Sequence, residues 1–201
     1  MSKIVHIENK DPFLLNDWEL ARSLYSCKSG GCTNCLSKFQ TKDSLILPLS
    51  ELFNKKVKVD SAGLYKSISS WRKPVLFYHQ GKRITRKVLI KFTGSDNFEP
   101  SILALLPFLK ERKVPANVIS PYALTKANRS KEHDLVELTK QYFEPLGFIK
   151  LNLHTVADFH EFATTDEVGL LMLPLKDLPD YIQYASRLSN YNMLLPAIFQ
   201  P

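Results

Sequence analysis

Apolar residues in this chain fall into short runs separated by polar turns, and the spacing within each run separates strands from helices. PVLFYH (74–79) has the composition of a strand, Gln80-Gly81 that of a turn, and KRITRKVLIKF (82–92) that of a second strand, so this stretch predicts a two-stranded ribbon. Alternation places Ile84, Val88, Ile90 and Phe92 on one face of the second strand and Arg83, Lys87 and Lys91 on the other. Lys82 and Arg86 share parity with the apolar set, so both faces carry charge near the turn.

Beyond the ribbon, strands and helices alternate. A helix over 99–113, interrupted by Pro107, precedes a strand at ANVIS (116–120). A helix over 131–146 follows, with Ser130 as its cap and Gly147 as its stop. Ile149, Leu151 and Leu153 alternate in the next strand, VGLLML (168–173) forms the last one, and Pro179 opens a helix that runs to Leu188. Upstream, NDWELARSLY (16–25) predicts a short helix with Asn16 and Glu19 as a capping pair, and LPLSELF (47–53) a second one. The fold class expected is mixed α/β. It consists of an N-terminal helix with a three-cysteine knuckle, a basic β-ribbon, and βαβ units forming a partly parallel sheet. Residues 1–60 form the N-terminal region, and 61–201 form one compact unit with the ribbon and the α/β part.

Composition limits the functional classes. The chain has 201 residues, 44% of them apolar, which is enough to bury a core and too apolar for a disordered protein. It has no long apolar run and no secretory leader, so a cytoplasmic protein in a reducing compartment, away from membranes, is expected. Charge adds more, because eleven Lys and Arg against one acid fall between residues 55 and 91. That tract exceeds the whole chain's net charge of +7, so the remainder is mildly acidic. Such asymmetry is the footprint of a polyanion binder, and RNA or DNA is the partner it favours. The candidate contacts are Lys55, Lys56, Lys58, Arg72, Lys73, Lys82, Arg83, Arg86, Lys87 and Lys91, with Trp71 as a stacking residue. Tyr65, Phe77 and Tyr78 are interleaved among them.

The three cysteines, Cys27, Cys32 and Cys35, sit together in SCKSGGCTNCL. An odd number in a reducing compartment argues against disulfides, and the Gly- and Ser-rich surroundings argue against core packing. Thiolates in a C-x2-C pair reach one metal, so a zinc knuckle is expected, completed by a histidine such as His79 or His6. A [4Fe–4S] cluster held by three thiolates, with one iron open, is the other metal reading. The turn Thr93-Gly94-Ser95-Asp96 lies after a strand and before a helix, where open α/β sheets place ligand crevices, but it lacks a phosphate-binding glycine fingerprint. His154, Asp158, His160 and Glu161 are a further polar group without HExxH spacing.

The three-cysteine loop followed by a glycine-acid turn at a strand end resembles the radical S-adenosylmethionine enzymes across residues 24–120. That resemblance implies a cluster on Cys27, Cys32 and Cys35, with S-adenosylmethionine contacted at Gly94 to Asp96. The spacing differs, C-x4-C here against C-x3-C in the family, and Asn34 replaces its aromatic. The leading expectation is a metal-clipped nucleic-acid-binding protein, a non-catalytic subunit that meets other proteins in a ribonucleoprotein or DNA-processing assembly. The radical enzyme is the alternative.

Overall fold

Five of the apolar runs lie side by side as parallel strands in the computed structural model, which describes residues 45–49, 61–78, 87–94, 97–105, 114–188 and 193–200. They are β3 (Val88–Lys91), β4 (Val114–Ser120), β5 (Phe143–Lys150), β6 (Leu170–Pro174) and β7 (Ala197–Gln200). Two strands from earlier in the chain complete the sheet. β2 (Val75–Tyr78) runs antiparallel to β7, and β1 (Leu45–Pro48) runs parallel to β2 at the edge. The spatial order is β1-β2-β7-β6-β3-β4-β5.

This order overturns the basic β-ribbon. β2 and β3 are consecutive in sequence, yet β7 and β6 lie between them. The physical reason is burial on both sides. Every residue of β3 is buried, so the strand occupies the middle of the sheet instead of a solvated hairpin. Val88, Ile90 and Phe92 do share a face, as alternation requires, but the opposite face carrying Leu89 and Lys91 is covered as well.

Helices cover both faces. On one, α1 (Ser61–Trp71), α4 (Val156–Thr165) and α5 (Leu178–Arg187) pack Ile68, Phe159, Ala163, Tyr181 and Ile182 onto Phe77, Leu89, Leu171 and Phe199. On the other, α2 (Glu99–Leu105), with Phe98 just before it, and α3 (Lys126–Lys140) pack Phe98, Ile102 and Leu135 onto Ile90, Val118 and Met172. The chain winds from β3 through α2, β4 and α3 to β5, then returns through α4 to β6 on the other side of β3. The winding direction therefore reverses between β3 and β6. No helix among the described residues is long and apolar enough to cross a membrane.

Several boundaries move for identifiable reasons. α3 starts at Lys126, because the Thr125 hydroxyl accepts a hydrogen bond from the Asn128 N–H and caps it before Ser130 can. It stops at Lys140, ahead of Pro145, which lacks the N–H a helix interior needs. Gly147 therefore lies inside β5, where a Cβ would come within 3.1 Å of Asn117 Cγ, so its smallness allows a close approach of strands β4 and β5. Leu47 and Pro48 close β1 and are not helical. α4 was not expected. Its Thr155–Asp158 capping box is complete in both directions, and the Thr155 N–H holds the Asp158 carboxyl below the usual carboxylate range.

Candidate functional site

A concavity among the described residues lies outside the carboxyl ends of β3, β4, β5 and β6, where the winding direction reverses. In open α/β sheets this is where diverging loops leave room for a ligand. The crevice has a volume of about 280 Å³. Lys91, Phe92 and Thr93 enter it from β3, Ile119 and Pro121 from β4, and residues 151–154 from the loop after β5. Lys176 and Asp177 come from the 3-10 turn (Leu175–Asp177) after β6.

Its polar groups are arranged in two pairs. The Lys91 side chain is buried, and its Nζ lies 2.9 Å from Asp177 Oδ2. That carboxylate oxygen is shielded from solvent and makes no aligned hydrogen bond, so charge joins the two groups and the oxygen keeps acceptor capacity. The Lys91 ammonium also stands 5.9 Å from the centre of the Phe159 ring. Closer to solvent, Lys176 Nζ donates to Thr93 Oγ1 at 2.5 Å. His154 is exposed at the rim, and the Asn152 side chain accepts from the Tyr122 N–H, which fixes the loop after β5 against the end of β4.

The rim beside Pro121 is cationic and aromatic. Tyr122 is 64% exposed, unusual for a tyrosine of a folded core. Four residues further on, α3 begins with Lys126 and Arg129 exposed on its first turn. That turn stands against Gly94, whose φ of +111° is accessible to glycine and strained for other residues, and a Cβ there would meet Asn128 Nδ2 at 2.5 Å. A half-buried ion pair braces the same end of the sheet: Lys150 Nζ meets Glu132 Oε1 at 2.5 Å, and Ser120 Oγ donates to the same oxygen. Asp177 and Glu132 are thereby paired, while Lys126, Arg129 and Lys176 are exposed.

The residues expected to contact nucleic acid are distributed differently. Lys55, Lys56, Lys58, Lys82, Arg83 and Arg86 lie outside the described residues, as do His79, His6 and the whole Cys27, Cys32, Cys35 knuckle. Trp71 ends α1 and is followed by Arg72, exposed and left-handed at φ 52°, and by half-buried Lys73. Lys87 and Lys91 are not an exposed stripe. Lys87 binds Asp166 Oδ1 at 2.6 Å at the amino end of β3, with the Asn117 amide donating to the other oxygen of Asp166 at 2.7 Å. Lys91 is inside the crevice pair just described. Phe77 and Tyr78 are buried on opposite faces of the sheet, and half-buried Tyr65 packs against the core, so these aromatics belong to packing.

The polar group at 154–161 also separates. Asp158 caps α4 and His154 reaches the crevice, but His160 turns inward. Its Nε2 accepts from the Leu195 N–H at 3.0 Å, and its Nδ1 meets Tyr184 Oη at 3.2 Å. Among the described residues no three His, Cys, Asp or Glu side chains gather as metal ligands. Sequence reasoning missed Tyr122, Lys126, Arg129 and Lys176. The available signal was the position of Tyr122 and Lys176 just after apolar strand runs; Lys126 and Arg129 carried none. No family model matches the chain, and no curated protein matches it.

Proposed function

We propose that this protein binds nucleic acid, as a non-catalytic subunit of a larger assembly, and that the carboxyl edge of its sheet is one contact surface. The observation that carries the proposal is exposed Tyr122, next to Pro121 of the crevice wall and bonded through its N–H to Asn152, with exposed Lys126 and Arg129 in the first turn of the helix that follows and exposed Lys176 in the crevice wall. Ammonium and guanidinium groups neutralise phosphates, and an exposed ring offers a face on which a base stacks. The cationic residues between 55 and 86 extend the attraction, because a concentrated charge acts on a polyanion over a Debye length.

Changing Lys126, Arg129 and Lys176 together to Gln is expected to reduce the slope of log affinity against log salt by about 2–3 units on duplex. Tyr122→Ala is expected to weaken single-strand binding by about 1–3 kcal/mol, with little effect on folding. Labelled DNA and RNA titrated across a salt series, with circular dichroism as the folding control, measure both. Wild-type protein that binds neither nucleic acid at low salt refutes the proposal.

The proposal includes a metal clip at Cys27, Cys32 and Cys35, for which zinc is the preferred ion. Metal analysis is expected to find one equivalent of zinc in colourless protein, lost in Cys32→Ser and Cys35→Ser. Brown protein with iron and sulfide would instead favour the radical S-adenosylmethionine reading.

A further inference from the structure

We infer that the crevice between the ends of β3 and β6 takes a phosphomonoester carried by a nucleoside, so that the protein recognises the phosphorylated end of a strand. This deepens the nucleic-acid reading and rests on it. Size is the first argument. A volume of about 280 Å³ lies at the small end of ligand sites and is suited to one compact unit. A strand that meets Lys126 and Arg129 can place its terminal unit there.

Charge is the second argument. Lys91 and Asp177 neutralise one another, which leaves Lys176 as the ammonium facing the crevice, with the Thr93 hydroxyl 2.5 Å from its Nζ and the His154 ring at the rim. A terminal phosphomonoester carries about −1.5 to −2 charge and three acceptor oxygens, against −1 for an internal diester. It gains more from the same ammonium. The third argument is the rest of the wall. Ile119, Pro121 and Leu151 supply an apolar side against which a base or sugar can lie. Inorganic phosphate alone would use the ammonium and leave the apolar wall unused.

The same chemistry is presented by a free nucleoside monophosphate, and the test separates the two sources. Its probes are one short oligonucleotide prepared with hydroxyls at both ends, with a 5′-phosphate or with a 3′-phosphate, together with a free nucleoside monophosphate and inorganic phosphate. One phosphorylated form is expected to bind at least about tenfold more tightly than the hydroxyl form, as one charge-assisted contact supplies. Lys176→Gln should remove that gain, measured as the ratio of phosphorylated to hydroxyl-ended affinity within the variant, and Thr93→Val should reduce it; circular dichroism verifies that each variant is folded.

Equal affinity for the three oligonucleotides overturns the inference and leaves the nucleic-acid reading standing. A free nucleoside monophosphate that binds while no oligonucleotide does overturns end recognition and the nucleic-acid reading together, leaving the crevice as a nucleotide site. Inorganic phosphate competing as well as the nucleoside monophosphate overturns the role of the apolar wall. Binding of none of these probes overturns both readings.

Discussion

Lys91→Met is expected to destabilise the protein by about 3 kcal/mol while leaving the salt dependence of nucleic-acid binding unchanged. The substitution keeps the length and most of the apolar stem of a side chain that is only 8% exposed, so little of the loss comes from a cavity. It removes the ammonium 2.9 Å from Asp177 and leaves that carboxylate, 16% exposed, without its counter-charge. Breaking a buried pair from one side is costly because the surviving charge stays desolvated. Replacing both partners, Lys91→Met with Asp177→Leu, should recover much of the stability. Urea unfolding curves of the single and double variants, compared at constant m, measure this. A Lys91→Met protein with wild-type stability and a flattened salt slope would return Lys91 to the nucleic-acid surface.

Phe199→Ala is expected to cost about 4 kcal/mol, a large share of the total stability of an ordinary domain. Phe199 is fully buried near the end of β7, with its ring 5.4 Å from that of Phe77 and 5.2 Å from that of Tyr181, edge-on to both. These contacts tie β7 to β2 and to α5, so the cavity opens where the antiparallel and parallel parts of the sheet meet. Thermal unfolding monitored by circular dichroism reads the effect. Near-wild-type stability would mean that β7 is not a central strand.

The contrast between these two residues shows what the sequence makes legible. Alternation in VLIKF correctly separates Val88, Ile90 and Phe92 from Leu89 and Lys91, because the strand period is local. It does not reveal what covers each face, and that decides whether Lys91 meets phosphate or Asp177. The ribbon expectation failed for the same reason: adjacency in sequence favoured pairing β2 with β3, but long-range burial gave β2 the partners β1 and β7. β7 is only four residues after Pro196, too short to carry a period of its own.

The helix over 156–165 was obscured by its chemistry. His154, Asp158, His160 and Glu161 look like a polar loop until Val156, Phe159 and Ala163 are seen to share the buried face, while His160 spends its ring nitrogens on Tyr184 and the Leu195 backbone. At the site itself, Thr93 and Gly94 were readable as a turn after a strand, and the place of Thr93 in the crevice follows from β3 being next to the reversal in winding. Tyr122, Lys126 and Arg129 had no motif to mark them. Exposure is a tertiary property, and only the folded sheet brings the first turn of α3 against Gly94.

Photo-crosslinking of the full chain to a single strand carrying halogenated bases, with the linked peptides identified by mass spectrometry, tests the nucleic-acid surface most directly. Tyr122 stands exposed beside Pro121 of the crevice wall, with Lys126 and Arg129 exposed in the first turn of the helix that follows. The account predicts a crosslink at Tyr122 or within the peptide carrying these three residues, diminished in the Lys126, Arg129 and Lys176 triple variant. Crosslinks confined to other parts of the chain, unchanged in that variant, would contradict it.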